Sequence, residues 1–280
     1  MTEPLLIVDS PPTQREFVDS YLARSRPLVV RNGLQSWNMP PPWTFDSVLS
    51  MVGDQRAPIY DSLFTLTGLT TLRKYHARFV QNAEPGARPP YLRWFSRQSA
   101  ERLPWADDAF LALANSWHAP EWIPTEGYTF PAGATAVDIA RQSFPAKGIF
   151  VCGRGGMTRW HVDPWYSDAY LCQVIGHKRI LLYPPETTTP ADPEALFAVI
   201  DAPGMLPPRW PSSPLIDVVL APGDCAYIPQ QHPHAALAMS PSLSLTWNFV
   251  HSANDTGYRS LPSSDAAEDA ALAYFSNIRA

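Results

Sequence analysis

Thirty-one of the 280 residues are proline, against about 14 expected at an average use near 5%. A ring that fixes φ and removes an amide donor ends helices and interrupts ladders, so a chain this rich in proline is cut into short elements. Long bundles and coiled coils are thereby disfavoured. Glycine adds only 14 residues, which keeps the two well below the roughly 25–30% that marks low-complexity sequence. With 45% hydrophobic residues and 10 Trp, 11 Tyr and 12 Phe, the chain has the material for a large aromatic core.

The punctuation is most regular in the second half. Short runs rich in Val, Ile, Leu, Thr and aromatics occupy 148–152, 158–163, 169–175, 178–183, 215–220, 225–229, 234–239 and 243–250, separated by Gly/Pro turns. Eight such runs predict an antiparallel sandwich or barrel. The first half reads as mixed. Leu5–Val8 and Pro27–Arg31 are expected strands. Thr13 and Glu16 form a capping box opening a helix whose Phe17, Val18, Tyr21 and Leu22 share a face. Thr44–Val52 is a short helix with Gly53 placed for a left-handed cap. Residues 69–82 read as a basic helix, 96–147 as irregular, and 263–280 as an Ala-rich helix. The division is residues 1–147 as a mixed α/β cover packed on the core, 148–250 as the β domain, and 251–280 as a C-terminal tail.

A net charge of −5 gives no overall attraction for nucleic acid or anionic membrane. Cys152, Cys172 and Cys225 are odd in number and contain no CxxC spacing, which points to a reducing compartment rather than a disulfide framework. The N-terminus lacks the pattern of a signal peptide, and no run approaches a membrane span. The expectation is a cytoplasmic protein.

His161 and Asp163 alternate on one predicted strand, so their side chains share a face. After the turn-strand-turn Pro222–Pro229 come His232 and His234, the latter entering the next strand. An HxD pair recurs often by chance. Two histidines and a carboxylate converging on one point, however, form the facial triad of non-haem Fe(II) oxygenases, which leaves three coordination positions open. His232 competes with His234 for the third place.

The segments TRWHVDP (158–164), QVIGHKRILLYPP (173–185), PGDCAYIP (222–229) with His234, and SLSLTWNF (242–249) stand in this order. Together they resemble the JmjC/cupin-like family of Fe(II)- and 2-oxoglutarate-dependent oxygenases. RPLVVRNGLQSW (26–37) and PYLRWF (90–95) are similar to that family's lead-in elements. The resemblance implies a mainly β fold, a double-stranded β-helix or jelly roll with a helical N-terminal cover and a short C-terminal helix. It implies iron ligation by His161, Asp163 and His234. It places 2-oxoglutarate on Lys178, with Thr158 and Tyr91 as hydrogen-bonding partners, and Arg154 and Arg159 as the nearest other cations by sequence. Thr246 and Asn248 share a strand face and would complete the pocket.

The implied activity is hydroxylation of a C–H bond with Fe(II), 2-oxoglutarate and O2, first of a peptide or protein side chain and otherwise of a small metabolite. A modified RNA base is less favoured by the acidic charge, and a homodimer is allowed. A metal-binding cupin without oxygenase activity, or an interaction protein without metal, are the rival classes. Substrate contact is expected from residues 60–147, notably Trp105, Trp117 and Trp122, and from the Pro164–Ala169 loop.

Overall fold

A computed structural model describes residues 5–34, 43–84, 86, 88–95, 108–113, 116, 119–130, 147–202 and 204–260. The helices are α1 (Gln14–Ser20), α2 (Phe45–Val52), α3 (Leu72–His76), α4 (Asp108–Leu113) and α5 (Thr256–Arg259). The N-terminal strands are β1 (Ile7–Val8), β2 (Leu28–Val30), β3 (Arg56–Tyr60), β4 (Leu66–Thr71), β5 (Tyr91–Phe95) and β6 (Tyr128–Phe130). The eight strands expected in the second half are all present: β7 (Lys147–Cys152), β8 (Met157–His161), β9 (Asp168–Ile175), β10 (Lys178–Leu182), β11 (Ile216–Leu220), β12 (Cys225–Ile228), β13 (His234–Ala238) and β14 (Ser242–His251).

They form two facing sheets. The smaller runs β11-β10-β13-β8, and the larger runs β1-β2-β12-β9-β14-β7-β5-β3-β4, with β6 paired to β14. This is a jelly-roll, cupin-like architecture. Period-2 alternation sorts the side chains into layers. Ala169, Leu171, Ala226 and Ile228 of the large sheet meet Ile180, Leu182, Val218 and Ala236 of the small sheet inside the barrel. The intervening residues Tyr170, Tyr227, Trp247 and Phe249 face outward into a second core shared with α1 and α2. On the far side, Trp160, Tyr183 and Trp210 pack outside the small sheet.

The N-terminal half does more than cover this barrel: β5 pairs with β7 and β2 with β12, so the large sheet runs through both halves. Its helix α1 starts as the sequence requires, with Thr13 Oγ1 accepting from the Glu16 amide at 3.2 Å and the Glu16 carboxylate accepting from the Thr13 amide at 2.8 Å.

Two local expectations are corrected. Gly53 closes α2 with φ −57°, in the right-handed region, and its amide donates to the Leu49 carbonyl. Residues 69–82 are not one helix. The β-branched run up to Thr71 pairs with β3 as a strand, Thr71 then caps α3, and Ala77–Gln81 continue as a π-helical turn. The C-terminal helix expected over 263–280 lies outside the described residues; before it, α5 is a single turn.

Candidate metal and cosubstrate site

His161 and His234 are paired opposite one another across β8 and β13, and their ring centroids lie 4.1 Å apart. The ladder also pairs Ala236 with Thr158, so β8 carries one residue more than β13 between these two points. A bulge of this kind re-aims side chains. Here it lets Thr158 and His161, three apart, both face the barrel interior, whereas strict alternation would turn one of them outward.

Asp163 follows β8, and its Oδ1 stands 3.6 Å from His161 Nε2 and 4.0 Å from His234 Nε2. Donors about 2.1 Å from one ion are at most about 4.2 Å apart, so the three side chains fit a common metal. Among the described residues this is the group of His, Cys, Asp and Glu side chains close enough to hold one. Two imidazoles and a carboxylate on one side of the ion suit Fe(II) with open positions.

The surroundings orient each donor. His161 Nδ1 is 2.8 Å from the Arg159 carbonyl and His234 Nδ1 is 2.9 Å from the His232 carbonyl. A carbonyl only accepts, so Nδ1 carries the proton in both rings and Nε2 keeps its lone pair for a metal. Burial, then the neighbouring His161 ring, pushes the His234 imidazole down to about 4, which keeps it neutral for ligation. Burial alone would raise the Asp163 carboxyl; the two rings and the Asn248 amide outweigh it and hold the group below its ordinary value. His232 is buried two residues away with its Nδ1 on the Gln230 carbonyl, and it stays outside the cluster.

The same barrel interior contains a cavity of about 80 Å3 whose lining includes His161, Asp163, His234, Thr158, Tyr91, Lys178, Thr246 and Asn248. The eight residues picked from the sequence are thus brought to one chamber, with different tasks. Lys178 sits on the inner face of β10 beside Ile180 and Leu182 and is 1% exposed. Its Nζ donates to Ser244 Oγ at 2.5 Å, and Ser244 Oγ donates to Gln173 Oε1 at 2.7 Å. No carboxylate pairs with it among the described residues. Burial lowers this ammonium to about 8. The Tyr91 hydroxyl is buried with no hydrogen-bond partner among the described residues. A buried ammonium with no counter-charge, beside a buried phenol that has only the Cys152 thiol and the Thr158 hydroxyl as polar neighbours among the described residues, is costly unless an anion completes it, and a carboxylate of 2-oxoglutarate fits that deficit.

Thr246 lines the cavity, but its hydroxyl donates to the Tyr170 carbonyl at 2.7 Å. Asn248 Nδ2 donates to Asp163 Oδ2 at 3.0 Å, which makes it a support for the Asp163 carboxylate.

Three participants were not singled out by the sequence reading. Arg93 is the second cation beside this chamber: Arg154 pairs with Asp201 at the surface and Arg159 is not in the lining, whereas Arg93 Nη2 donates to Thr158 Oγ1, which is in it, at 3.0 Å. Its signal was present in PYLRWF, because alternation puts Arg93 on the face of Tyr91 and sends Leu92 and Trp94 into the outer core. Ser244 shares the face of Thr246 and Asn248 and was legible in the same way. Phe64 had no sequence signal. It sits at the tip of the β3–β4 hairpin with φ 67°, its ring centroid 5.6 Å from that of His161. The tip is fixed by Asp61 Oδ1 accepting from the Leu63 and Thr65 amides and by the Arg159 amide donating to the Ser62 carbonyl.

The tryptophan expectation is corrected where it can be read. Trp122 is 3% exposed and packs edge-on against Phe17 and Tyr170 in the outer core, because it shares that layer with α1. Trp105 and Trp117 lie outside the described residues.

No helix among the described residues is long and apolar enough to cross a membrane. The chain is similar to Jumonji C domain-containing protein 5 of Drosophila melanogaster, 26% identical over 84% of this chain and 57% of that protein. It is similar also to lysine-specific demethylase JMJ21 of Arabidopsis thaliana, 32% identical over 85% of this chain and 24% of that protein. The chain therefore spans little more than half of one relative and a quarter of the other. Among solved structures it is similar to YcfD, a ribosomal oxygenase from Escherichia coli, in complex with cobalt and 2-oxoglutarate; identity is 15%, the TM-score 0.47, and 92% of this chain and 54% of that one are covered. The profile of the cupin-like domain matches residues 13–255. A match over that much of the sequence, with Jumonji C proteins as relatives, means that the chain belongs to the cupin-like domain family, in which its motifs had found their JmjC-type resemblance.

Proposed function

We propose that this protein is an Fe(II)- and 2-oxoglutarate-dependent dioxygenase that hydroxylates a C–H bond of a peptide or protein side chain. The observation that carries the reading is one chamber holding both the His161–Asp163–His234 cluster and the buried, carboxylate-free Lys178. When bound, Fe(II) with 2-oxoglutarate and O2 supplies the oxidising chemistry, in which the 2-oxo acid becomes succinate and CO2 and one oxygen atom enters the substrate. The chain's own part is binding and placement. His161, Asp163 and His234 hold the metal by three positions on one side. Asn248 fixes the carboxylate of Asp163. Lys178, Tyr91 and Thr158 receive the distal carboxylate of the cosubstrate. The apolar walls Leu171, Ile180, Leu182 and Ile228 exclude water from the chamber.

A peptide substrate is favoured because one relative bears the name of a lysine-specific demethylase, which places its chemistry on an amino-acid side chain. A small metabolite is the second reading.

The test is succinate release from 2-oxoglutarate with Fe(II), together with mass spectrometry of peptide and metabolite mixtures for a gain of one oxygen. Wild type is expected to form succinate and an oxidised peptide, and Asp163→Ala neither. A wild-type protein that binds Mn(II) but neither binds nor consumes 2-oxoglutarate would leave a metal-binding cupin without oxygenase activity.

A further inference from the structure

Arg93 is 0% exposed. Its guanidinium carbon lies 4.1 Å from the ring centroid of Phe64, 4.5 Å from Tyr91, 5.1 Å from Phe150 and 5.8 Å from Tyr60. Four aromatic rings stabilise a cation through their faces, but none neutralises it. No carboxylate forms an ion pair with Arg93 among the described residues. The Asp61 carbonyl is 3.4 Å from Nη1, while the Asp61 carboxylate is engaged by the hairpin amides, and Arg93 Nε has no hydrogen-bond partner there. Burial lowers even this guanidinium, to about 10.

Lys178 is in the same position, and its Nζ lies 5.5 Å from the other participant, the Tyr91 ring. Tyr91 thus stands between two buried cations. Buried charges are ordinarily paired. Here the Asp61 carboxylate acts on Arg93 only through space, and Lys178 has no carboxylate partner among the described residues. Two cations thus share at most one counter-charge, and the chamber is left to be completed by an anion.

The hydrogen bond to Thr158 adds direction. A guanidinium has donors and no acceptor, so Thr158 Oγ1 must accept from Arg93 Nη2. The single hydroxyl proton of Thr158 is then turned away from Arg93, toward the Tyr91 hydroxyl and the cavity that both residues line. A neutral amide at position 93 could bond Thr158 in either direction and would not fix this.

We propose that Arg93 is a positioning residue of the cosubstrate subsite, which orients the Thr158 hydroxyl as a donor and, as a second buried cation, makes the chamber prefer dicarboxylate over monocarboxylate 2-oxo acids. The inference rests on the 2-oxoglutarate reading above and deepens it. Arg93 itself does not touch the ligand; it acts through Thr158 and through its charge.

The experiment uses Mn(II)-loaded full-length protein and calorimetric titration with 2-oxoglutarate and with 2-oxopentanoate, which keeps the chelating end and lacks the distal carboxylate. Wild type is expected to prefer 2-oxoglutarate strongly. Arg93→Gln should weaken 2-oxoglutarate by roughly tenfold or more, as for the loss of about 1.4 kcal/mol, with 2-oxopentanoate unchanged or tighter and Mn(II) affinity unchanged. Arg93→Lys keeps the charge and should keep most of the preference. Equal loss for both acids in Arg93→Gln, or unchanged preference there, would overturn the inference and leave the 2-oxoglutarate reading standing. A wild-type protein that binds neither acid would remove that reading itself. Where Arg93→Gln does not fold, Arg93→Lys decides: retained preference supports the inference, and equal loss for both acids overturns it.

Discussion

Asn248 Nδ2 donates to Asp163 Oδ2 at 3.0 Å, while Asp163 Oδ1 faces both histidines. The two carboxylate oxygens are thus divided between the Asn248 amide and the histidine pair. Partners of this kind typically carry 10- to 100-fold in metal affinity. Asn248→Ala is therefore expected to weaken Mn(II) or Fe(II) binding by about that factor, with unchanged circular dichroism. Undiminished metal affinity would show that Asp163 is held by its backbone alone.

His234 lies in the cluster and His232 outside it, although both are buried. His234→Ala should abolish stoichiometric metal binding and succinate release. His232→Ala should retain both, because only its backbone carbonyl, which anchors His234 Nδ1, serves the site. Loss of metal in His232→Ala with retention in His234→Ala would exchange their roles.

Lys178 sets a pH dependence. Burial holds its folded-state value down at about 8, so the ammonium is present below that pH and neutral above it. A carboxylate ligand binds the charged form, so above pH 8 binding must take up a proton. The affinity for 2-oxoglutarate should accordingly fall above pH 8, by up to about tenfold per unit. Lys178→Ala should bind weakly throughout with that slope removed. A flat profile to pH 10 in wild type would place the ligand's carboxylate on another group.

Phe64 combines a left-handed backbone with a bulky side chain, 38% exposed, laid over Arg93. Such backbone strain is worth about 1–3 kcal/mol and collects at functional sites. Removing the ring exposes the guanidinium in either small variant, but only glycine relaxes the backbone. Phe64→Gly is therefore expected to be more stable than Phe64→Ala by about 1 kcal/mol in denaturant unfolding. Equal stabilities would mean that the hairpin tip shifts to relieve the strain.

How much of this was legible follows from the kind of signal. Strands with Gly/Pro punctuation, such as Lys178–Leu182, announce themselves by local pattern, and so does the capping box at Thr13 and Glu16. The pairing of His161 with His234 depends on a bulge in β8, which local sequence does not encode. Arg93 was readable by alternation, yet an arginine on a strand is ordinarily solvated, and its burial depends on rings brought from Tyr60, Phe64 and Phe150. Residues 69–82 looked helical because Leu72, Tyr75 and His76 do share a buried face. The preceding threonines were recruited by β3 instead, as strand pairing outranks weak helix propensity.

The pairing of β5 with β7 also decides what can be cut from this molecule. An excision starting near residue 148 would look like a complete jelly roll, yet it would bare the ladder edge of β7, an invitation to aggregate. It would also discard Tyr91, Arg93 and Phe64 while leaving every metal donor in place. Such a fragment could still take up an ion and fail to recognise a dicarboxylate. The smallest piece on which the proposed activity can be tested therefore begins before β3, and a metal-loaded fragment that ignores 2-oxoglutarate would test the cut rather than the proposal.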